Sequence, residues 1–508
     1  TRGRLPTKTT ARNAEGAPAY AYEDAHLLAQ MAATGTFGQS FYQDAQCELA
    51  KVIDAAERVA PEFLAKTAIF TRQRGHMKDM PSVLLAVLAR RDPVLFRRAF
   101  GRVIDNGRML RTFVQVVRSG QTGRKSLGTR PKAMVACWLN AATERALLQA
   151  NIGNDPSLAD VIRMVHPKPR DASREALFAW IIGKPCDAAL LPQGLQDWLA
   201  FKKTGKGSVP DVPFQMVTQL PLTARDWAGI ARNGSWQMVR QNLNTFLRHG
   251  VFDDAKVVRR VAKILRDPAR IAKARVFPYQ LMAAARAVDP AMPGAIRAAL
   301  LDAVEAAVEN VPRISGSVVV CPDVSGSMNW PLTGQRKGAT TAIRYVDAAA
   351  LMAACVLRRN RNARVLPFET KVCNVRIGPR DPIFRNAERL ASLMGGGTNC
   401  SAPLKWLADR REAPDLVIFI SDNQSWVDAG SRHGTEMMNQ WERIKHRNRK
   451  AKLVCIDIAP YGTSQAVERE DVLNIGGFSD QIFEQVAAFA EGRMGPAHWV
   501  GVIEKMEV

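Results

Sequence analysis

The sequence of 508 residues has few cysteines, few aromatic residues and no long apolar run. Its eight cysteines form no Cys-x-x-Cys pair. Four of them lie in apolar segments, which is typical of buried thiols in a reducing compartment rather than of disulfides. These are Cys137, Cys321, Cys355 and Cys455. No apolar stretch reaches the ~18 residues of a membrane span, and no secretory signal opens the sequence. We therefore expect a cytoplasmic protein that has no membrane partner.

Acidic residues are scarce relative to basic ones. The chain holds 71 Lys and Arg against 48 Asp and Glu, a formal net charge of +23. Residues 1–310 hold 45 basic and 27 acidic side chains, whereas residues 311–508 hold 26 and 21, so most of the excess belongs to the first part. Such a balance favours a polyanionic partner, most simply a nucleic acid. Because aromatic residues make up only 7%, base stacking would be confined to a few positions.

The hydrophobic pattern changes once along the chain, and it predicts two kinds of domain. Residues 1–20 are polar and predict an extended arm. Residues 21–311 show almost only helical periodicity, and helix pairs that recur at several tens of residues predict a HEAT-like α solenoid. Residues 312–492 alternate strands with helices, which predicts a doubly wound parallel α/β domain. Residues 493–508 are left as a C-terminal tail.

The expected elements of the α/β domain are read from buried apolar runs and from amphipathic segments. Strands are expected at residues 317–321, 363–368, 416–420 and 452–458. The intervening helices are expected at residues 345–359, 402–410 and 439–447.

The first expected strand of this domain ends in Asp323-Val-Ser-Gly-Ser327. Ligands of open α/β sheets bind at the carboxyl ends of the strands. Asp323, Ser325 and Ser327 offer three oxygens there, and hard divalent cations such as Mg²⁺ prefer oxygen ligands in octahedral geometry. Taken alone, the same pentapeptide is equally well explained as an ordinary turn.

Two later segments supply further oxygens in a fixed order. The loop Leu393-Met-Gly-Gly-Gly-Thr-Asn-Cys400 presents Thr398, and the run Asp415-Leu-Val-Ile-Phe-Ile-Ser-Asp422 ends in a carboxylate. Together with the first loop, this order resembles the metal-ion-dependent adhesion site of von Willebrand factor A domains. The resemblance implies a divalent cation, Mg²⁺ first and Mn²⁺ as the alternative, with one coordination position left for a carboxylate of a protein partner. The implied ligands are Asp323, Ser325, Ser327, Thr398 and Asp422.

These ligands favour binding over catalysis. Asp323 and Asp422 could in principle activate a metal-bound water. The signature, however, brings no histidine base, no phosphate-binding loop and no second carboxylate cluster. Asp422 is followed by Asn-Gln-Ser-Trp at 423–426, whose polar groups could line a docking surface. We predict that the chain is not an enzyme.

Several further stretches recur in both parts of the chain in a recognisable order. In the α/β part these are Gly395-Gly-Gly-Thr-Asn-Cys-Ser-Ala-Pro-Leu404 and Gly476-Gly-Phe-Ser-Asp480. In the helical part they are Asp160-Val-Ile-Arg-Met-Val-His-Pro-Lys-Pro169, Gln219-Leu-Pro-Leu-Thr223 and Lys273-Ala-Arg-Val-Phe-Pro-Tyr279. With these stretches, both parts of the chain together resemble the Ro proteins, the TROVE-domain family, from about residue 13 to 492.

This resemblance implies a ring of helical repeats whose ends are joined by the A domain. It implies binding of a small noncoding (Y-type) RNA on the outer surface of the ring. It further implies entry of single-stranded RNA 3′ ends from structured or misfolded RNA through the central hole. Bacterial members act with exoribonucleases in RNA quality control and decay. A closed ring requires no partner subunit, so a monomer is expected.

One departure from the family bears on the Y RNA contact. Leu158 and Ala159 stand where the family usually has a His-Lys pair that contributes to RNA contact. The preceding Ala150-Asn-Ile-Gly-Asn154 also lacks the family's cluster of basic residues. The sequence therefore leaves open whether the usual Y RNA contact survives, or whether other basic groups replace it.

Two basic segments of the helical part are candidate RNA contacts. In Gly123-Arg-Lys-Ser-Leu-Gly-Thr-Arg-Pro-Lys132, two glycines and a proline predict a turn whose cations meet phosphates. The alternative is a solvated loop. The second segment is residues 163–170, which bring four basic side chains within eight positions. For His166, the alternative is a buried histidine that is satisfied by hydrogen bonds. The candidate contacts are Arg124, Lys125, Arg130, Lys132, Arg163, His166, Lys168 and Arg170.

A third basic run, Arg443-Ile-Lys-His-Arg-Asn-Arg-Lys-Ala-Lys452, lies in the α/β part. Cations favour the C-terminal end of a helix, so a solvated helix end is the first interpretation and RNA contact the second. For the whole chain, an RNA-binding ring is weighed against a metal-dependent protein-adhesion scaffold without RNA. The basic excess of residues 1–310 favours the ring. A metal-dependent nuclease is disfavoured by the ligand set.

Overall fold

A computed structural model gives the structure of the chain. The residues that it describes are 9–12, 17–21, 23–34, 45–75, 77–274, 276, 278–332, 343–393, 395–422, 435–458, 463–467, 469–476, 481–492 and 498–508. Within these residues, no helix has both the length and the apolar character needed to cross a membrane.

The described part of residues 24–307 is almost wholly α-helical, as the periodicity predicts. Its helices are α1 (Asp24–Thr34), α2 (Ala45–Arg58), α3 (Pro61–Gln73), α4 (Asp79–Arg91), α5 (Pro93–Val103), α6 (Gly107–Arg118), α7 (Thr129–Ala141), α8 (Glu144–Ala150), α9 (Leu158–Val165), α10 (Ala172–Ile182), α11 (Gln193–Thr204), α12 (Phe214–Val217), α13 (Ala224–Asn233), α14 (Trp236–Gln241), α15 (Leu243–Arg248), α16 (Ala255–Leu265), α17 (Pro268–Ala274), α18 (Pro278–Ala287) and α19 (Gly294–Ala307). One-turn 3₁₀ helices lie at Ala188–Leu190, Val251–Asp253 and Val308–Asn310.

Asp-Pro pairs begin two of these helices. Asp92 accepts hydrogen bonds of 2.9 Å from the backbone N–H groups of Val94 and Leu95, and Pro93 is the first residue of α5. Asp267 does the same for α17. A capping carboxylate satisfies orphan N–H groups, and proline at the first helical position loses no hydrogen bond. Local chemistry therefore fixes where one helix ends and the next begins.

The second part contains five parallel strands and the helices that connect them. The strands are β3 (Val318–Pro322), β4 (Arg364–Val365), β5 (Leu416–Ser421), β6 (Lys452–Asp457) and β8 (Val472–Gly476), in the spatial order β4-β3-β5-β6-β8. The helices are α20 (Tyr345–Arg359), α21 (Ile383–Ala391), α22 (Ala402–Asp409), α23 (Glu436–Arg447), α24 (Gln481–Ala490) and α25 (His498–Glu504).

The central strands of the sheet, β3 and β5, are almost wholly apolar and are buried at every residue. On one face, Val417 and Phe419 of β5 share a core with Leu404 of α22 and Trp441 of α23. α20 packs directly on β3. Parallel strands covered in this way read as continuous apolar runs, which is why β3, β5 and β6 are predicted from the sequence.

A small antiparallel sheet joins the N-terminal segment to residues 463–464 of the α/β part. Its strands are β1 (Ala11–Arg12), β2 (Pro18–Ala21) and β7 (Thr463–Ser464), in the order β1-β2-β7. Tyr20 of β2 is opposite Ser464 of β7, and its side chain belongs to the same core as Phe419. The segment predicted as an extended arm therefore contains two strands.

The chain divides into two compact units that do not follow the change of secondary structure. The first comprises residues 1–34, 38–48 and 228–501, and the second comprises residues 35–37, 49–227 and 502–508. In the first unit, Arg286 of α18 forms an ion pair of 3.1 Å with the buried Asp347 of α20. In the second unit, Arg98 donates a hydrogen bond of 2.8 Å to the carbonyl of Val508.

Three details differ from the expectation. The strand expected at 363–368 is regular only at Arg364–Val365. Beyond it, the backbone N–H groups of Leu366 and Phe368 still donate to β3, and Phe368 forms an isolated bridge with Asp323. Strand β8 and helices α21 and α24 are absent from the expected set. Cys137, expected to be buried, is exposed because it lies on the outward face of α7, whereas Cys321, Cys355 and Cys455 are buried thiols.

Candidate metal centre and basic segments

The loop that follows β3 is held at the carboxyl edge of the sheet by both neighbouring strands. The N–H of Asp323 donates to the carbonyl of Ile420 at 2.9 Å, and the N–H of Val324 donates to that of Phe368 at 2.8 Å. A 3₁₀ turn at Gly326–Asn329 follows directly. The start of the loop thus continues the hydrogen bonding of the sheet, which fixes the backbone that carries its side chains.

The predicted oxygens meet in this loop. The N–H of Ser325 donates to Oδ1 of Asp323 at 2.8 Å. Oγ of Ser325 lies 2.9 Å from Oγ1 of Thr398 and 3.2 Å from Oγ of Ser327. All four side chains are buried. The structure therefore brings together Asp323, both serines and the loop threonine from two separate parts of the sequence.

The glycine-rich loop is fastened to the first loop through its backbone. The N–H of Gly326 donates to the carbonyl of Gly396, and the N–H of Gly395 donates to that of Val324, both at 3.0 Å. Gly396 has φ +64°, and a Cβ placed on it would collide with the carboxylate of Glu369. The left-handed φ favours glycine at this position. Glu369, a carboxylate beside the site, is a residue that the sequence reasoning missed.

Asp422 follows the last residue of β5 and is 1% exposed. The residue before it, Ser421, donates a hydrogen bond of 2.6 Å from Oγ to Oδ2 of Asp323. Ser421 was also missed, although its place at the end of an apolar strand beside a predicted ligand is a usable signal. The docking residues expected at 423–426 lie outside the described residues, as does the 477–480 segment.

Burial raises the pKa of Asp323, and hydrogen bonds from Ser325 and Ser421 oppose the increase. A cation would reverse the effect of burial, because it favours the ionised carboxylate. The described residues contain no cluster of three His, Cys, Asp or Glu side chains that could hold a metal. A cation here would therefore depend on hydroxyl oxygens in addition to Asp323 and Asp422.

The donor set fits a hard divalent cation. Ligands at 2.0–2.1 Å in an octahedron lie about 3 Å apart along each edge. The hydroxyl separations of 2.9 and 3.2 Å have this spacing. Each oxygen of Asp323 accepts one hydrogen bond and keeps lone-pair capacity for a further partner. Oxygen-only ligands of this kind select Mg²⁺ or Mn²⁺ over softer metals.

The basic segment at 123–132 is part loop and part helix. Arg124 and Lys125 precede Gly128, which has φ +71° and is the N-cap of α7, while Arg130 and Lys132 lie in the first turn of that helix. Arg124 is half-buried and the other three are exposed. The predicted turn is therefore correct only up to Gly128, and the cations extend onto a helix.

The second basic segment spans the end of α9 and the following loop. His166 is the C-cap of α9 in the left-handed conformation, and it is exposed, so the buried-histidine alternative is wrong. Arg163 does not turn toward it, because its Nη2 donates to the carbonyl of Ile182 at 2.6 Å. Lys168 and Arg170 are exposed, and Arg170 forms an ion pair of 3.0 Å with Asp171.

Helix α7 connects the two basic segments. Asn140, near its C-terminal end, donates to the carbonyl of Lys168 at 2.9 Å and accepts from the N–H of Arg170 at 3.2 Å. Arg130, near the N-terminal end, is ten residues earlier, which corresponds to about 15 Å along the helix axis. The candidate contacts therefore form two groups, one at each end of α7.

Leu158, at the position where the Ro resemblance leads us to expect a His-Lys pair, has a structural role in this chain. Leu158 is fully buried and is the first residue of α9. Ser157, the N-cap residue, and Asp160, in the first turn, form a capping box at the start of this helix. Ala159 is only partly buried. Leu158 thus serves the core and presents no group to solvent.

Comparison with known proteins agrees with this geometry. The family model described as the Ro60 vWA domain matches residues 317–490. The sheet domain is therefore similar to the vWA domain of Ro60. The RNA-binding protein RO60 of Deinococcus radiodurans is 26% identical over 521 residues, which covers 95% of this chain and 96% of that protein. The RNA-binding protein RO60 of Caenorhabditis elegans is 24% identical over 252 residues, 47% of this chain and 38% of that protein.

The fold is also that of a solved Ro structure. The crystal structure of the Deinococcus radiodurans RO (RSR) protein has 22% sequence identity and a TM-score of 0.63, and the match covers 93% of this chain and all of that one. The resemblance to the Ro family and the fold class of helical repeats with a doubly wound vWA domain are confirmed. The relatives are named as RNA-binding proteins, which agrees with the prediction that the chain is not an enzyme.

Proposed function

We propose that this Ro-type chain binds RNA through the two basic groups at the ends of α7. The observation that carries the proposal is their exposure: seven of the eight predicted side chains are open to solvent, and Arg124 is half-exposed. They lie on a helical scaffold that resembles, over almost its full length, a protein named for RNA binding. The basic excess of residues 1–310 supports the same conclusion.

The chemistry of these groups suits phosphates rather than base edges. Lys125, Arg130 and Lys132 are cations without an ion pair among the described residues, so they are available to an incoming polyanion. Contacts of this kind position RNA without reading its sequence and weaken as salt rises. Arg163 and Arg170 are partly neutralised by Asp160 and Asp171, and they are the weaker contacts of the set.

The proposal extends to the finer role that the Ro resemblance implies. A small noncoding, Y-type RNA would bind on the outside of a closed monomeric ring, and single-stranded 3′ ends of structured or misfolded RNA would enter its hole. Exoribonucleases would then act on the bound RNA in quality control and decay. The protein would work in the cytoplasm, where buried thiols such as Cys321 stay reduced. Because Leu158 is a core residue, the Y RNA contact would depend on Arg130, Lys132 and Lys168 instead of a His-Lys pair.

The metal centre completes the proposal. Asp323, Ser325, Ser327, Thr398 and Asp422 would hold Mg²⁺, or Mn²⁺ in its place. The ion would supply an electrophilic position for a carboxylate of a protein partner, such as the exoribonuclease. A metal-dependent adhesion scaffold without RNA uses the same centre, so only the behaviour toward RNA separates the two functions.

Binding of a labelled structured RNA with a single-stranded 3′ tail tests the proposal. The triple variant Lys125→Gln/Arg130→Gln/Lys132→Gln is compared with Lys184→Gln/Lys203→Gln/Lys206→Gln, which removes three exposed cations of the same unit. We expect the first variant to lose roughly tenfold or more in affinity, and the control and Asp323→Ala to bind as the unmodified protein does. Equal affinity in both triple variants would exclude this contact site, and no RNA binding by the unmodified protein would leave the scaffold function.

A further inference from the structure

The edge of the vWA sheet opposite the metal centre has a distinct chemical character. Because the strands are parallel, the loops that lead into them all lie at one edge. We call this the amino edge, and it consists of residues 311–317, 360–363, 410–415, 448–451 and 469–471. The metal ligands lie at the other edge, beyond the carboxyl ends of β3 and β5.

The carboxylates of the amino edge are already engaged within the domain, apart from Glu470. Glu412 forms an ion pair with Arg364. Asp415 accepts hydrogen bonds of 2.8 and 2.9 Å from the N–H and Oγ of Ser317. Asp471 accepts 2.7 Å hydrogen bonds from Arg469 and one of 2.8 Å from Trp441. These acids are thus neutralised or satisfied where they stand.

Cations remain after this pairing. Five side chains are exposed, and none of them forms an ion pair or a side-chain hydrogen bond within the described part of the chain: Arg313, Arg361, Arg411, Arg449 and Lys450. The helix dipole explains cations in the last turn of α23, but Arg449 and Lys450 lie beyond that turn. The edge therefore carries more positive charge than its own structure uses.

The cations form a row, because neighbouring strands each contribute at least one. In the spatial order β4-β3-β5-β6, the incoming loops supply Arg361, Arg313, Arg411 and the Arg449–Lys450 pair. Strands about 4.8 Å apart give this row a length of roughly 14 Å. Beside it, the guanidinium carbon of Arg410 lies over the ring of Trp406, 3.8 Å from its centre. A row of this length fits a chain of charges better than a single anion.

We propose that the amino edge is a second RNA-binding surface, which takes the phosphate backbone of a single-stranded segment. The inference rests on the proposed RNA binding and adds a contact on the vWA domain itself. A protein partner fits less well, because stable protein interfaces have an apolar centre. The exposed large hydrophobic residues of the described part are Val94, Leu190 and Leu301, and none lies at this edge.

The test uses the full chain and a matched control variant. The edge variant is Arg361→Gln/Arg411→Gln/Arg449→Gln/Lys450→Gln. The control is Lys371→Gln/Arg376→Gln/Arg385→Gln/Lys405→Gln, which removes four exposed cations of the same domain that are not amino-edge residues. Affinity for a labelled 20-nucleotide oligouridylate is measured as a function of salt concentration, and thermal melting checks that both variants are folded.

We expect the edge variant to bind at least tenfold more weakly than the control. Each lost phosphate contact on single-stranded RNA lowers the slope of log K against log salt by about 0.7, so four contacts lower it by about 3. Equal affinity and equal slope in the two variants would overturn the proposal. The proposed function would still stand in that case if the unmodified chain bound RNA and the α7 variant did not. If the edge variant lost affinity for polyglutamate but kept it for RNA, the surface would be a docking site for an acidic protein and the proposal would be wrong.

Discussion

Ser421, the last residue of β5, donates a hydrogen bond of 2.6 Å to Oδ2 of Asp323, the first residue after β3. The two residues come from adjacent parallel strands, and they are 98 positions apart in sequence. The bond holds one carboxylate oxygen of Asp323 while the N–H of Ser325 holds the other. The orientation of Asp323, the first of the candidate metal ligands, is therefore set by the hydroxyl of Ser421 and the N–H of Ser325.

Removing the hydroxyl in Ser421→Ala is expected to weaken Mg²⁺ binding about tenfold. A hydrogen bond to a charged group contributes about 1.5–3 kcal/mol, and part of it is used to orient Asp323. Isothermal titration calorimetry with Mg²⁺ measures the loss. Ser392→Ala, which removes an exposed hydroxyl of the same domain, is the control. Unchanged Mg²⁺ affinity in Ser421→Ala would show that Asp323 needs no such support.

Gly396→Ala is expected to lower the free energy of unfolding of the vWA domain by about 1–3 kcal/mol, because φ +64° is strained for alanine. Thermal melting measures the loss. The added Cβ would also collide with Oε2 of Glu369. Gly395→Ala is the matched control, since a Cβ there meets nothing within 4 Å.

The double variant Gly396→Ala/Glu369→Ala separates the two causes in the same melting experiments. It should recover the part of the loss that comes from the collision and leave the part that comes from φ. If Gly396→Ala and Gly395→Ala melted alike, the close packing of the two loops would be contradicted.

Chelation is expected to lower the melting temperature of the unmodified chain. A ligand that binds only the folded state at one hundred times its Kd stabilises it by about 2.7 kcal/mol. Differential scanning fluorimetry with EDTA and with excess Mg²⁺ measures the difference. Asp323→Asn should melt at one temperature in both conditions, because it lacks the charge that retains the ion. A metal-dependent shift that persists in Asp323→Asn would place the ion elsewhere.

Asp471 should contribute stability that is lost in acid. Burial opposes its ionisation, but hydrogen bonds from Arg469 and Trp441 outweigh burial and lower the pKa of Asp471 below its usual value. A carboxyl group whose pKa is lower in the folded state stabilises that state above its unfolded pKa, about 3.9, and this contribution is lost as pH falls through the folded pKa.

Asp471→Asn is therefore expected to be less stable than the unmodified chain at pH 7, with a difference that shrinks below about pH 4. Urea unfolding followed by circular dichroism at several pH values checks it. Asp302→Asn, on an exposed pair with Arg266, should show little difference at any pH. A stability gap for Asp471→Asn that is independent of pH would mean that charge is not its cause.

Much of the fold follows from the sequence because apolar runs and their periodicity decide it locally. The helix expected at 345–359 is α20, residue for residue, since alanines and leucines there form a long helical face. Strand β8 was missed because Asn474 lies in its centre and interrupts the apolar pattern. In the structure Asn474 is buried and its Nδ2 donates to the carbonyl of Ala466 at 3.1 Å, a contact that no local pattern reveals.

The candidate metal ligands could be predicted because each follows a strand or lies in a glycine loop of recognisable order. Glu369 could not, because its importance comes from its contact with Gly396 of the glycine loop, and the only local signal for Ser421 is its place at a strand end beside Asp422. The same holds for the RNA segments. No local pattern shows that His166 is a left-handed helix cap or that Arg163, three residues earlier, donates to the carbonyl of Ile182.

The pairing of β2 with β7 has a consequence for the order in which the chain folds. Tyr20 emerges from the ribosome early, but its place in the vWA core exists only after Ser464 has been synthesised. Closing such a long loop is entropically costly and slow compared with local helix formation. Strand β2 can pair early with its neighbour β1, but it must remain without its β7 partner during most of translation. An isolated vWA fragment that begins after the helical repeats would lack this strand and expose the core surface that Tyr20 covers.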